Sequence, residues 1–106
     1  MRYFFLISLL ITFNLSAHSD ESILSGADID YGEYLSGECV TCHHKAGLSK
    51  GIPSINGLDA DVFVALMVAY RSKDMENPIM QMIAGRLDDN QIGSLAIYFS
   101  KLEPPK

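Results

Sequence analysis

Residues Glu38–Gly47 read ECVTCHHKAG. Both cysteines of the chain, Cys39 and Cys42, fall inside this stretch, and His43 and His44 follow directly. Several chemistries use a Cys-x-x-Cys pair. Zinc takes four ligands in a tetrahedron. Cys39, Cys42, His43 and His44 offer suitable atoms, but adjacent histidines do not easily reach one ion, and no second pair exists in the chain. A thioredoxin-type dithiol expects a preceding strand in a βαβ setting, whereas the neighbouring spacing here is helical. A disulfide across two residues closes a very small loop and contributes little stability.

A further chemistry is covalent haem. Cys-x-x-Cys-His is the c-type attachment signature. Two thiols add to the vinyl groups of one haem and fix its edge along one turn of chain, and the histidine lies under the iron. Cys39, Cys42 and His43 stand in that order. The five-residue motif also arises by chance, so the rest of the chain has to separate the readings.

The chain begins MRYFFLISLLITFNLSAHSD. Arg2 supplies a positive start, Tyr3 to Leu15 form an almost unbroken apolar run, and small residues follow around Ala17 and Ser19. This is the pattern of a secretory signal peptide over residues 1–19, too short to span a membrane comfortably. No later segment is long and apolar enough to span one. The expected location is the periplasm, with cleavage after Ala17 or Ser19 and a single domain over residues 20–106. A domain of that size holds little core and commonly relies on a disulfide, metal or cofactor. Loss of Arg2 leaves seven basic residues against thirteen acidic, a formal charge of −6. With no basic run, that balance argues against nucleic acid or an anionic membrane as partner.

Outward from the cysteines, Tyr31, Leu35 and Cys39 recur at helical spacing, so a helix is expected from about Asp28 or Asp30 to Cys39. Asp20–Ala27 reads as a loose lead. His44–Leu58, with three glycines and a proline, reads as a loop. Asp59 is a candidate N-cap for ADVFVALMVAYR, which is apolar nearly all round and is expected to be largely buried. Pro78 disfavours helix at Asn77, and IMQMIAGR reads as a methionine-rich bend. Asp88 with Gln91 resembles a capping box. The helix it opens carries Ile92, Leu95, Ala96, Phe99 and Leu102 on one face and ends before Pro104 and Pro105. No convincing strand is present.

From about Ala27 to Leu102 the chain resembles the class I cytochromes c. The resemblance rests on Gly32 and Leu35 ahead of Cys39, on PSINGL at 53–58, on a methionine before the last helix, and on Tyr98 within that helix. It implies an all-α fold of three to four helices and long loops around one covalently attached haem. It further implies that Gly32 lets the first and last helices cross closely, with Tyr98 meeting the glycine. Cys39 and Cys42 would be the haem attachment residues, and His43 the proximal iron ligand. The Pro53 carbonyl would accept the hydrogen bond from that histidine, which fixes the ring. Met67 reads as core filler and Met75 lies early in a polar bend. IMQMIAGRLDDNQIGSLAIYF is similar to the cytochrome subunit of flavocytochrome c sulfide dehydrogenase, in which the iron-binding methionine lies three residues before an Ile-Ala pair. Ile83–Ala84 then implies Met80 as the sixth ligand, with Met82 and His44 as the competing candidates. His44 stands where the family has glycine and is read as a surface residue.

Histidine and methionine leave iron no open position, so the implied role is one-electron transfer and not catalysis. The narrower implication is a haem subunit that takes electrons from a sulfide-oxidising flavoprotein, with FAD on that partner chain alone, and passes them to other redox proteins. The alternative is a free-standing shuttle cytochrome donating to a terminal oxidase or other reductase. Ile52, Ile79 and Met82 lean towards an apolar subunit interface. A third reading, from another class, is an exported non-haem redox or metal-binding protein.

Overall fold

Caps written into the sequence set the helix starts. Asp28 is extended, and its Oδ1 accepts from the amides of Asp30 at 2.9 Å and Tyr31 at 3.2 Å. Those bonds satisfy donors that a first helical turn otherwise leaves unpaired, and they open α2, Ile29–Val40. Asp88 accepts from the Gln91 amide at 2.8 Å, and Gln91 Oε1 accepts from the Asp88 amide at 2.9 Å. This reciprocal box opens α5, Asp89–Ser100. The computed structural model describes residues 20–105. Its other helices are α1 (Asp20–Ser25), α3 (Ala60–Arg71) and α4 (Pro78–Gly85), with a 3₁₀ turn at Lys45–Lys50. No strand occurs among the described residues, so the chain is all-α.

Helix α5 is the axis of the fold. It packs against α1, α2 and α3, whereas α4 packs against α3. Ile92, Leu95, Ala96 and Phe99 are buried, as the apolar face requires, and Leu102 is half-buried. Phe63 of α3 stacks on Phe99, with ring centroids 5.8 Å apart. Where α2 crosses α5, a Cβ on Gly32 would collide with the Ser94 carbonyl and come within 2.8 Å of Tyr98 Cβ. Only glycine permits that approach. The crossing with Tyr98 therefore stands as expected. Ser94, the closest neighbour, is a further contact, and its Oγ accepts from the Asp28 amide at 3.0 Å.

Four expectations are corrected. Asp20–Ala27 is not a loose lead: α1 fills most of it, with Ile23 buried in the core and Gly26 O accepting from Asn90 Nδ2 at 2.8 Å. The bend IMQMIAGR belongs to α4, so the helices number five among the described residues, not three to four. Pro78 takes the first helical position, where its missing N–H costs nothing. The long loop carries the 3₁₀ turn. Helix α3 is only partly buried: Phe63, Val64 and Met67 are covered, but Val62 is 44% exposed, because its neighbours cover one side only. Asp59 does sit at the N-cap position of α3, but its side chain makes no cap bond there. The expected signal at residues 1–19 lies outside the described residues. Among those described, no helix is long and apolar enough to cross a membrane.

Candidate functional site

Cys39 ends the last full turn of α2, and the chain then tightens. The amides of Cys42 and His43 both return to the Cys39 carbonyl, at 3.2 and 2.9 Å. This turn brings Cys39, Cys42 and His43 to the wall of one cavity of about 270 Å³. Ile52, Pro53, Ile55 and Leu58 of the following loop also contribute, as do Phe63, Leu66, Met67 and Tyr70 of α3. Asn77, Ile79, Met80 and Ile83 complete it from the start of α4. The lining is mainly apolar, with the polar and sulfur groups drawn from three separate segments.

Each candidate residue has a definite position. Both cysteines are free thiols, Cys39 half-buried and Cys42 exposed. Burial, and secondly the Glu38 carboxylate, push the Cys39 thiol up to about 11, so it stays protonated at neutral pH. His43 Nδ1 lies 2.7 Å from the Pro53 carbonyl. Since a carbonyl only accepts, Nδ1 carries a proton, and Nε2 is the ring nitrogen that the neutral imidazole offers to another partner. Met80 is half-buried in the cavity wall. Met82, two residues on, is 58% exposed and does not line the cavity. Met67 is buried and does line it, so its packing role includes the cavity floor.

His44 points elsewhere. Its Nδ1 accepts from the Ala46 amide at 3.1 Å and caps the 3₁₀ turn. The second histidine of CHH is thus occupied with the local backbone, and it is not part of the cavity wall. No group of three or more His, Cys, Asp or Glu side chains is placed to hold a metal ion among the described residues.

Asn77 is the residue that sequence reasoning missed. It lines the cavity and its Oδ1 accepts from the Met80 amide at 3.0 Å. Its signal was the dipeptide Asn77–Pro78, an N-cap residue followed by proline at the first helical position.

The donor set in one apolar cavity consists of two thiols three residues apart, an imidazole, and two thioethers, Met80 of α4 and the more deeply buried Met67 of α3. These donor types suit a flat iron cofactor tethered at one edge.

No protein-family model matches the chain. Among curated proteins, the chain is similar to the "Thiosulfate dehydrogenase electron acceptor" of Stutzerimonas stutzeri (strain A1501), at 31% identity over 70 residues. The similarity covers 63% of this chain and 32% of that protein, so the chain spans about a third of the length of the curated relative it matches.

Proposed function

We propose that the chain is a periplasmic electron carrier, a class I monohaem c-type cytochrome exported by residues 1–19 and serving a dehydrogenase of reduced sulfur compounds. The observation that carries this reading is the cavity that gathers Cys39, Cys42, His43 and Met80, with His43 oriented by Pro53. When bound, the haem supplies a one-electron iron couple. Cys39 and Cys42 tether it covalently. His43 offers Nε2 to the iron, and the Nδ1–H bond to the Pro53 carbonyl holds the ring in one orientation and raises its basicity. Met80 offers a thioether, which favours the reduced metal and raises the potential. With His43 and Met80 both engaged, the iron would offer no place to a substrate, and the chain would carry electrons without catalysing the oxidation. Ile55, Leu58, Phe63 and Leu66 give the cavity an apolar wall.

Similarity to the thiosulfate dehydrogenase electron acceptor supports a role as electron acceptor, with a thiosulfate dehydrogenase as one candidate donor. The narrower reading, a haem subunit on a sulfide-oxidising flavoprotein that holds the FAD, rests on the resemblance of residues 53–102 alone. The exposed Ile79 and Met82 beside the cavity favour a subunit interface over a free shuttle.

The test is periplasmic expression with a c-type maturation system. Haem is expected to remain on the wild-type chain through denaturing electrophoresis and to be lost from Cys39→Ala and Cys42→Ala. An exported, stable wild-type chain without covalent haem would sink the proposal. For the donor, the ferric holoprotein is offered a thiosulfate dehydrogenase with thiosulfate, and separately a sulfide-oxidising flavoprotein with sulfide. The faster reduction identifies the partner class, and slow reduction by both rejects a sulfur-compound donor.

A further inference from the structure

Helix α4 has eight residues and, among the described helices, packs only on α3. A helix of that length is marginal by itself, and most of its stability has to come from its packing and its ends. Its N-terminal end is built around Met80. Asn77 is extended, Pro78 follows at the first helical position, and the Asn77 side chain accepts the Met80 amide at 3.0 Å. Met80 is the third helical residue, the one whose amide an N-cap side chain commonly takes. A second bond closes the same turn from the other side, Gln81 Nε2 donating to the Met75 carbonyl at 2.8 Å. Asn77 also stands in the cavity wall beside Met80.

We propose that Asn77 is a positioning residue for the sulfur ligand: its cap bond anchors the Met80 backbone and so holds the thioether towards the cavity. This rests on Met80 being the axial ligand. Without the cap, the first turn of α4 frays, Met80 samples positions away from the iron, and an external ligand competes more easily. The capping bond needs only a short side-chain acceptor, so serine at position 77 preserves it and alanine does not.

The measurement is imidazole titration of the ferric holoprotein, followed by loss of the near-red sulfur-to-iron absorption band, together with the reduction potential. Asn77→Ala is expected to bind imidazole roughly fivefold more tightly, the population shift that loss of a typical N-cap produces, and to show a lower potential. Asn77→Ser is expected to return both values close to wild type. Asp28→Ala removes a comparable cap from α2, away from the cavity, and serves as the control for general destabilisation; it is expected to leave imidazole affinity unchanged. An unchanged affinity in Asn77→Ala overturns the proposal, as does an equal gain in Asp28→Ala or a failure of Asn77→Ser to restore the value. Should Asn77→Ala not accumulate as holoprotein, the serine variant is compared with Asn77→Val, whose branched side chain favours the same extended backbone and offers no acceptor; equal affinities then overturn it. Failure of the underlying reading is separate: the band would persist in Met80→Ala, whatever position 77 does.

Discussion

At the residue scale, two methionines and two histidines are candidates for the proposed haem iron, and their surroundings differ. Met80 faces the cavity while Met82 is 58% exposed, and His43 bonds Pro53 while His44 caps its own turn. The near-red sulfur-to-iron band of the ferric protein is therefore expected to vanish in Met80→Ala and to survive in Met82→Ala and His44→Ala. The Met80 variant is also expected to accept added imidazole or cyanide and to show a lower potential. A band lost in Met82→Ala instead would reassign the ligand. The order of the thiols and the imidazole was legible in Cys-x-x-Cys-His, and PSINGL marked the Pro53 carbonyl that His43 meets. The role of His44 was not legible, because its side chain answers a local need for an acceptor at Ala46, and no pattern of spacing announces such a bond. Asn77 was in view only as the residue disfavoured for helix by Pro78; the complementary meaning of that dipeptide, a helix start, went unread.

At the element scale, the α2–α5 crossing is set by one missing side chain. A Cβ at Gly32 would meet backbone at Ser94, which cannot rotate away. Gly32→Ala is therefore expected to cost about 1–3 kcal/mol, by thermal or denaturant unfolding of the holoprotein, although alanine is the better helix former. The same exchange at Gly37, where nothing lies within 4 Å, is expected to stabilise slightly. A tolerant Gly32 would mean that the two helices do not cross there. Helices α2, α3 and α5 could be read from caps and apolar spacing, close to their observed limits. Helices α1 and α4 were not read, because each is too short to display a period and the start signal at Asn77–Pro78 reads equally as a break. Ile23 of α1 is held by packing against α5, a tertiary contact that composition does not reveal.

At the scale of the whole molecule, a small core lies beside an apolar cavity of about 270 Å³, to whose wall it contributes Phe63 and Met67. Among the described residues, nine buried hydrophobics make up that core, Phe63, Val64 and Phe99 included. So little interior leaves the chain dependent on what fills the cavity. The double variant Cys39→Ala, Cys42→Ala, which cannot hold a covalent group, is expected to lose most of its far-UV helical signal and to be cut rapidly by protease, whereas the holoprotein resists. A compact, protease-resistant double variant would show that the helices support themselves.

The same α2–α5 crossing also bears on how fast the fold can assemble. The Asp28 amide and Ser94 Oγ are 66 residues apart in the chain, and the Gly26–Asn90 and Tyr31–Gln91 bonds span almost as far. Contacts of such separation raise contact order and slow folding, because a long loop has to close before they return any stabilisation. A group that ties Cys39–His43 to Met80 bypasses the middle of that loop. It shortens the search by on the order of 1 kcal/mol of closure entropy, so attachment of the proposed haem would accelerate the meeting of the chain's two ends as well as filling the space between them.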